Sequence, residues 1–546
     1  MRAALLLAVV GAVLHLDSAA ARSFSRVSAK FSPSHAPTRA SHPSRLEAFV
    51  QQGGKITAEG ASFGASVALS ADGSTMLIGA SGDDGGRGAA WVFTRTGSGW
   101  TEQAELTGDE ENGAGEFASS VALSADGDTA LIGGAGDDDH VGAAWVFTRA
   151  GSTWTQQGAK LTGAGEAGEG WFGHSVALSA DGETALVGAF NDNALQGAAW
   201  VFTRTGSTWT QQGPKLIAGG GCGTPSFASS VALSADGEAA LIGGAWDCDV
   251  GAAWVFTRTG STWTQQGPKL TAGGEVGKGF FGESVALSGD GDTALVGAPS
   301  DRAGVGAAWV FTRSGSSWTQ QGEKLSGGGE IGDGYFGRSV ALAGEGDTAL
   351  IGGSYENTGD NGAAWVFTRS GSTWTQQGEK LSGSGEGDEE GAIGLLGGGG
   401  FGTSVALSSD ASTALIGGGH GADFLGAAWA FSAQSASLGS VAQFGRCVPV
   451  PGVSGEHYHG RYANPACTKP SKHGSYEWYA GVARTHFTTR LSGSPAALAT
   501  AKGQQIVCAG VTGTGEYSGA ALTTVAAVVL TFTGCERLGQ ECSSAG

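Results

Sequence analysis

The chain has 546 residues, 100 of them glycine, and sets 30 Lys and Arg against 50 Asp and Glu for a formal net charge of −20. That balance argues against a nucleic-acid partner, because the phosphates would be repelled. The glycines fall at turns and small packing positions of a periodic pattern, which excludes a simple low-complexity chain.

In chain order, Arg2 is followed by an apolar run from Ala3 to Leu16 and by Ser18-Ala19-Ala20-Ala21 before Arg22. This reads as a cleavable secretion signal over residues 1–21, with an apolar run too short to serve as an anchor. Residues 22–45, rich in Ser, Pro and Arg without periodicity, read as a disordered linker. Further on, the best candidate for a membrane helix is the 13-residue stretch Ala520 to Phe532, which is too short to span. The expectation is a soluble, monomeric protein, secreted or held at the cell surface, with no transmembrane segment.

Residues 46–433 repeat. Gly-Ala-Ala-Trp occurs seven times, ending at Trp91, Trp145, Trp200, Trp254, Trp309, Trp365 and Trp429, at intervals of 54, 55, 54, 55, 56 and 64 residues. The third unit reads Ser175-Val176-Ala177-Leu178, a turn at Ala180-Asp181-Gly182, Thr184 to Gly188, Ala198 to Phe202, and Thr208-Trp209-Thr210. Four short apolar runs bounded by Gly, Asp, Ser and Thr predict four strands and no helix, and seven such units predict an all-β, seven-bladed β-propeller. The seventh unit runs out after Phe431, while Phe49 to Ile56 aligns with Trp154 to Leu161. The N-terminal segment is therefore expected to close the ring as the outer strand of the last blade. The periodic tryptophans are expected to be core.

On Phe-Gly at Phe63, Phe172, Phe281, Phe336 and Phe401, on the Ser-Val-Ala-Leu that follows, and on Gly-Ala or Gly-Gly closing the second strand, the units resemble FG-GAP repeats, the blades of integrin α-subunits and of secreted bacterial proteins. Phe117 and Phe227 depart from the pattern, being followed by Ala. The resemblance implies the propeller fold and points to adhesion-type binding. Integrin-like blades bind calcium in an Asp-rich loop between strands one and two. Here that hairpin offers a single carboxylate, as at Asp72-Gly73 or Asp181-Gly182, which cannot cage the ion. No cofactor is expected, and Asp137, Asp138 and Asp139, in a different loop, are left as the calcium candidates.

In an antiparallel blade the loops between strands two and three share one face with the links from strand four to the next blade. These loops are diverse, whereas the hairpins of the opposite face are monotonous, so the diverse face is expected to be the working surface. It carries the acids Asp192, Asp247 and Asp301 and the rings Phe190, Trp246, Tyr355 and Phe424, with Trp171, Phe280 and Tyr335 entering one residue before Phe-Gly. Rings beside carboxylates suit stacking on sugar faces or anchoring a protein partner. The competing reading makes the acids turn formers and the rings plugs of the channel mouth.

Cys222 and Cys248 lie on loops of that same face, entering and within blade four, and predict a disulfide. From 440 to 546 the texture changes to short Val- and Thr-rich runs between glycines, with Cys447, Cys467, Cys508, Cys535 and Cys542. This reads as a small disulfide-containing β domain similar to a Cys-rich tail module of secreted bacterial proteins. It is expected to be truncated at Gly546, with Cys447–Cys467 and Cys535–Cys542 as the expected pairs. His457-Tyr458-His459 could share a metal ion if it lay on a strand, but without evident further ligands it reads as loop histidines. No nucleophile elbow, nucleotide loop or zinc signature is present, and no unique polar cluster stands out from the repeat. The sequence thus predicts a non-enzymatic binding or adhesion scaffold for an extracellular glycan or protein. A polysaccharide hydrolase or lyase, and a purely structural envelope protein, are the alternatives.

Overall fold

A computed structural model describes residues 46–435, apart from 59–60, 98, 331, 356–361, 385–399 and 420–425, together with nine strands between Gly445 and Glu541. Residues 46–435 form seven four-stranded antiparallel sheets, the blades of a propeller. In blade 3 the inner strand is Ser175–Leu178, the second Thr184–Ala189, the third Ala198–Thr205 and the outer Thr208–Gln211. The second strand is buried at every position because neighbouring blades cover both of its faces, which is why it reads as a continuous apolar run. The outer strand alternates between exposed and half-buried residues.

Packing between blades is aromatic on one side and aliphatic on the other. Trp200 and Phe202 meet Phe172 edge-on, with centroids 5.4 and 6.1 Å apart, and the three rings lie against Leu131, Ala144 and Val146 of blade 2. An equivalent Phe–Trp–Phe triad recurs in every blade, as in Phe63–Trp91–Phe93 and Phe401–Trp429–Phe431. Burying each such ring is worth about 2 kcal/mol. The outer-strand tryptophans are half-buried; Trp209 Nε1 donates to Gln157 Oε1 of blade 2 at 2.9 Å, and the Arg204 guanidinium covers its ring at 5.6 Å.

Two collars of hydrogen bonds run from blade to blade at the two ends of the inner strands. At one end the hydroxyls of Ser66, Ser120, Ser175, Ser230, Ser284, Ser339 and Ser404 each donate to a backbone carbonyl of the next blade, at 2.7 to 2.8 Å. The last of these bonds, from Ser404 to Gly64, joins blade 7 to blade 1. At the other end the N–H groups of Ala71, Ala125, Ala180, Ala235, Gly289, Gly344 and Ser409 donate in turn to the carbonyl of the next member, and Ser409 returns to Ala71 at 2.9 Å. The inner hairpins that carry this second collar are set by side chains: Ser179 Oγ donates to Asp181 Oδ1 at 2.6 Å, and Asp181 Oδ1 accepts the Glu183 N–H at 2.9 Å. Gly182 suits its turn twice over, since its φ is +67° and a Cβ there would lie 3.0 Å from Thr129 Oγ1 of blade 2, although blade 7 places Ala411 at the same position at φ of +57°.

In blade 7 the third strand, Ala427–Ser435, pairs antiparallel with Leu46–Gln51 in the outer position. Beyond the propeller, Gly445–Pro449, Tyr476–Ala480, Gly460–Tyr462 and Pro470–Gly474 form one sheet. A second is built on the long strands Gln505–Ser518 and Thr524–Arg537. The register of that pair sets Cys508 directly opposite Cys535 and that of the first sheet sets Cys447 opposite Trp478. Cys467, Cys542, the His457 and His459 pair, the expected signal segment and the expected linker lie outside the described residues.

Ser175 tests the collar. Its replacement by Ala leaves the Ala228 carbonyl without its donor in a buried site, and the expected cost is about 1–3 kcal/mol, read as a lower urea midpoint at unchanged slope. An unchanged midpoint would show that the blade contacts hold without it.

Candidate recognition face

On the loop-bearing face one device recurs from blade 2 to blade 5. Asp137, Asp192, Asp247 and Asp301 open the loops between strands two and three, and each is only 1 to 2 % exposed. One oxygen of each accepts a backbone N–H from the loop entering that blade, at Asn112, Ala167, Cys222 and Val276. The other accepts the ammonium of Lys160, Lys215, Lys269 or Lys324, at 2.5 Å for the first two. Each lysine in turn lies over the third-strand tryptophan of its blade, 5.5 to 5.9 Å from the ring centroid. Asp192, Asp247 and Asp301 therefore sit beneath the working surface and tie its loops down.

The calcium candidates divide in the same way. Asp137 is held by Lys160, Asp138 Oδ1 accepts from Asn112 Nδ2 at 3.0 Å, and Asp139 is exposed. Among the described residues no group of three or more His, Cys, Asp or Glu is placed to hold a metal ion. Blade 4 carries the Cys222–Cys248 disulfide, with Cα atoms 5.2 Å apart, linking its entering loop to its loop between strands two and three.

The tied loops turn through consecutive left-handed residues, Asp138, Asp139 and His140 at φ of 52°, 54° and 67°, and Asn193, Ala194 and Leu195 at 53°, 55° and 66°. Such backbone costs roughly 1–2 kcal/mol per non-glycine residue and persists only where its surroundings hold it. Beside this device in blade 3, burial first and the Asp192 carboxylate second push Glu166 up to about 8, so that it is protonated at neutral pH.

The predicted rings come together in sets. Trp171 stacks on His140 at 4.7 Å and meets Phe190 edge-on at 5.5 Å, and Phe190 meets His174 at 4.6 Å. Trp246 packs with Phe280 at 5.2 Å and Tyr335 with Tyr355 at 5.3 Å. Trp246 is 54 % and Tyr355 46 % exposed, so neither is spent in the core. Phe424 lies outside the described residues. Trp171, Phe280 and Tyr335 occupy a repeat position that is left-handed in every blade, at φ of +48° to +73°, and that Ser62, Glu116, Ser226 and Gly400 fill in the other blades.

At the centre of this face the residue following Phe-Gly or Phe-Ala forms a ring of seven: Ala65, Ser119, His174, Ser229, Glu283, Arg338 and Thr403. They surround a cavity of about 490 Å³ at the mouth of the axial channel, with Phe190 and Trp246 also in its wall. Arg338 Nη1 donates to Glu283 Oε1 across blades 5 and 6. Desolvation in the mouth, and secondarily the Arg338 charge, push His174 down to about 4, so its ring is neutral at pH 7. A unique polar cluster therefore does exist, contrary to the reading of the repeat. It occupies the one variable position inside an otherwise uniform strand entry, and reading that column across the seven copies would have found it.

Glu166 gives this region a pH signature. A carboxyl whose pKa is raised by folding contributes stability at low pH that is lost as pH rises from about 4.5, its ordinary value, through about 8. The thermal midpoint of Glu166→Gln is accordingly expected to fall less between pH 5 and pH 8.5 than that of the native chain, with calorimetric scans as the check; parallel profiles would show Glu166 to be ionised in the fold.

Four stretches of the chain match the family described as FG-GAP repeat: residues 54–93, 100–147, 154–202 and 263–311. The second and third each run from the outer strand of one blade through the third strand of the next, so the repeat in sequence is offset by one strand from the blade. A search of curated proteins finds no match. Among the described residues no helix is long and apolar enough to cross a membrane. With the repeat matched four times and seven blades built on one strand pattern, this chain carries FG-GAP repeats within a seven-bladed β-propeller.

Proposed function

We propose that the protein is a secreted or surface-displayed binding scaffold that recognises an extracellular glycan or protein through the loop-bearing face. An FG-GAP propeller is consistent with a binding or scaffold role. The observation that carries the reading is that Trp171, Phe280 and Tyr335 place rings at a left-handed repeat position that the fold fills without a ring, by Ser62, Glu116, Ser226 and Gly400, in the other blades. Ring-to-ring contacts with the exposed Trp246 and Tyr355 extend Phe280 and Tyr335 into an open aromatic surface. Aromatic rings on a rigid scaffold supply large contact area at low entropic cost, the usual composition of binding hot spots. The apolar N-terminal run supports an extracellular setting. A glycosidase normally needs two carboxylates flanking the bond, and the described residues lining the axial cavity include one, Glu283.

The test is binding of labelled protein, residues 22–546, to envelope preparations and to a glycan array, beside a Trp171→Ala/Trp246→Ala variant. Saturable binding that falls at least tenfold in the variant, about 1.4 kcal/mol, is expected. Equal binding by the two proteins would remove the aromatic face from recognition, and release of soluble sugars from the polymers would move the assignment to a hydrolase or lyase.

A further inference from the structure

Seven copies of one repeat act as controls for one another, and on the loop-bearing face they set one sector apart. Six large apolar side chains stand exposed among the described residues, and five of them, Leu195, Ile217, Trp246, Val276 and Tyr355, lie on loops of this face in blades 3 to 6. Ile217, 61 % exposed, begins the loop entering blade 4, and the same position holds threonine or serine in every other blade, from Thr57 to Ser382. Val276, 51 % exposed, takes the place that Asn112 and Ala167 have in blades 2 and 3. Trp246 and Tyr355 stand where blades 1, 2, 3 and 5 carry Gly82, Gly136, Asn191 and Ser300. The propeller is built with small or polar residues at these positions elsewhere, so the fold does not call for the apolar ones.

The loops that carry them are joined. Ser226, in the loop entering blade 4, donates its N–H to the Leu195 carbonyl at 2.9 Å, and Trp246 donates its N–H to the Pro225 carbonyl at 3.3 Å. Trp246 packs on Phe280, and Asp249 pairs with Lys278 in the same two loops. The Val276 carbonyl accepts the Arg302 N–H at 2.8 Å, the Gly304 carbonyl accepts the Tyr335 N–H at 2.8 Å, and Tyr335 packs on Tyr355. The apolar side chains therefore stand on one continuous run of loops, which separates them from the single apolar residues scattered over any protein surface.

Charge divides the same face. Toward blades 1 to 3 the loops expose Asp84, Asp109, Glu110, Asp138, Asp139 and Glu169 against Arg87, whereas in the apolar sector Asp249 and Asp333 are balanced by Lys278 and Arg302. Aliphatic groups such as Ile217 and Val276 offer a sugar neither a stacking ring nor a hydrogen bond, but they match the apolar centre of a protein interface. A second copy of this chain, with its formal charge of −20, would bring another strongly acidic molecule against the acidic loops.

We propose that the sector from Leu195 to Tyr355 is a docking surface for a different protein, one whose contact surface is apolar and is bordered by basic side chains that face the acidic loops of blades 1 to 3. This rests on the recognition-face reading and narrows its partner to a protein.

The experiment measures binding of labelled protein to envelope preparations that are untreated, digested with trypsin or oxidised with periodate, beside an Ile217→Thr/Val276→Ala variant. Both substitutions install residues that other blades use at the same positions, and the Val276 N–H that Asp301 accepts is retained, so the thermal midpoint is expected to stay unchanged. The expected result is saturable binding that trypsin abolishes and periodate spares, that the variant weakens about fivefold or more, and that weakens as salt rises from about 50 to about 500 mM. Binding that survives trypsin and is lost on periodate makes the occupant a glycan and overturns the proposal; so does native affinity in the variant, or binding indifferent to salt. A dimer of the native protein in sedimentation that the variant abolishes makes the occupant a second copy and overturns it as well. If the variant binds like the native protein while Trp171→Ala/Trp246→Ala still loses binding, the protein-docking sector fails and the recognition face stands; if the native protein binds nothing, both fail.

Discussion

Everything on the working face depends on hydrogen bonds that no blade can make alone. A four-stranded sheet leaves its inner strand beside a channel with polar backbone to satisfy, and here each inner strand is joined to the next at both ends, by a serine hydroxyl at one and a backbone N–H at the other. Both sets close on themselves, from Ser404 to Gly64 and from Ser409 to Ala71. A closed ring fixes the distance and angle between blades, and the aromatic triads then fill a space whose size is already set. The near-monotony of the inner hairpins follows from the same constraint, because each turn packs against the adjoining blade and holds glycine in six blades and only the small Ala411 in the seventh.

The opposite end of each blade solves a different problem, that of holding long glycine-rich loops in strained conformations. A buried aspartate bonded to an incoming N–H and to a lysine, with the lysine capped on a tryptophan, pins two loops to one sheet. The desolvation of both charges is repaid only by this full set of partners, and loss of one partner would leave a buried charge exposed to the full penalty. Blade 4 keeps this device and adds a covalent tie in Cys222–Cys248. Rigid loops in turn present their rings without the entropic cost of ordering them on binding. The face is thus divided between acids that hold the scaffold and rings, Trp246 and Tyr355 among them, that remain exposed.

The repeat, its four strands and the pairing of Cys222 with Cys248 were legible in the sequence, as were the rings that meet on one face. Legibility failed for the acids. Asp192 looks like a solvated loop residue, and its partner Lys215 stands 23 positions later, past the outer strand, where no local pattern connects them. It failed also for the axial ring, since Ser119, His174, Ser229, Glu283 and Arg338 belong to five different copies and share nothing in sequence except their place in the repeat.

The sequence by itself determined the period, the strand content and the identity of the variable positions, because alternation and turn chemistry are local properties that survive without any neighbour. Which carboxylates are buried, which rings stay open and which polar groups share a cavity were decided only by closure of the propeller. Closure converts one position in seven distant segments into a single ring, and the environment of each side chain is then set by the blade beside it and no longer by its own segment.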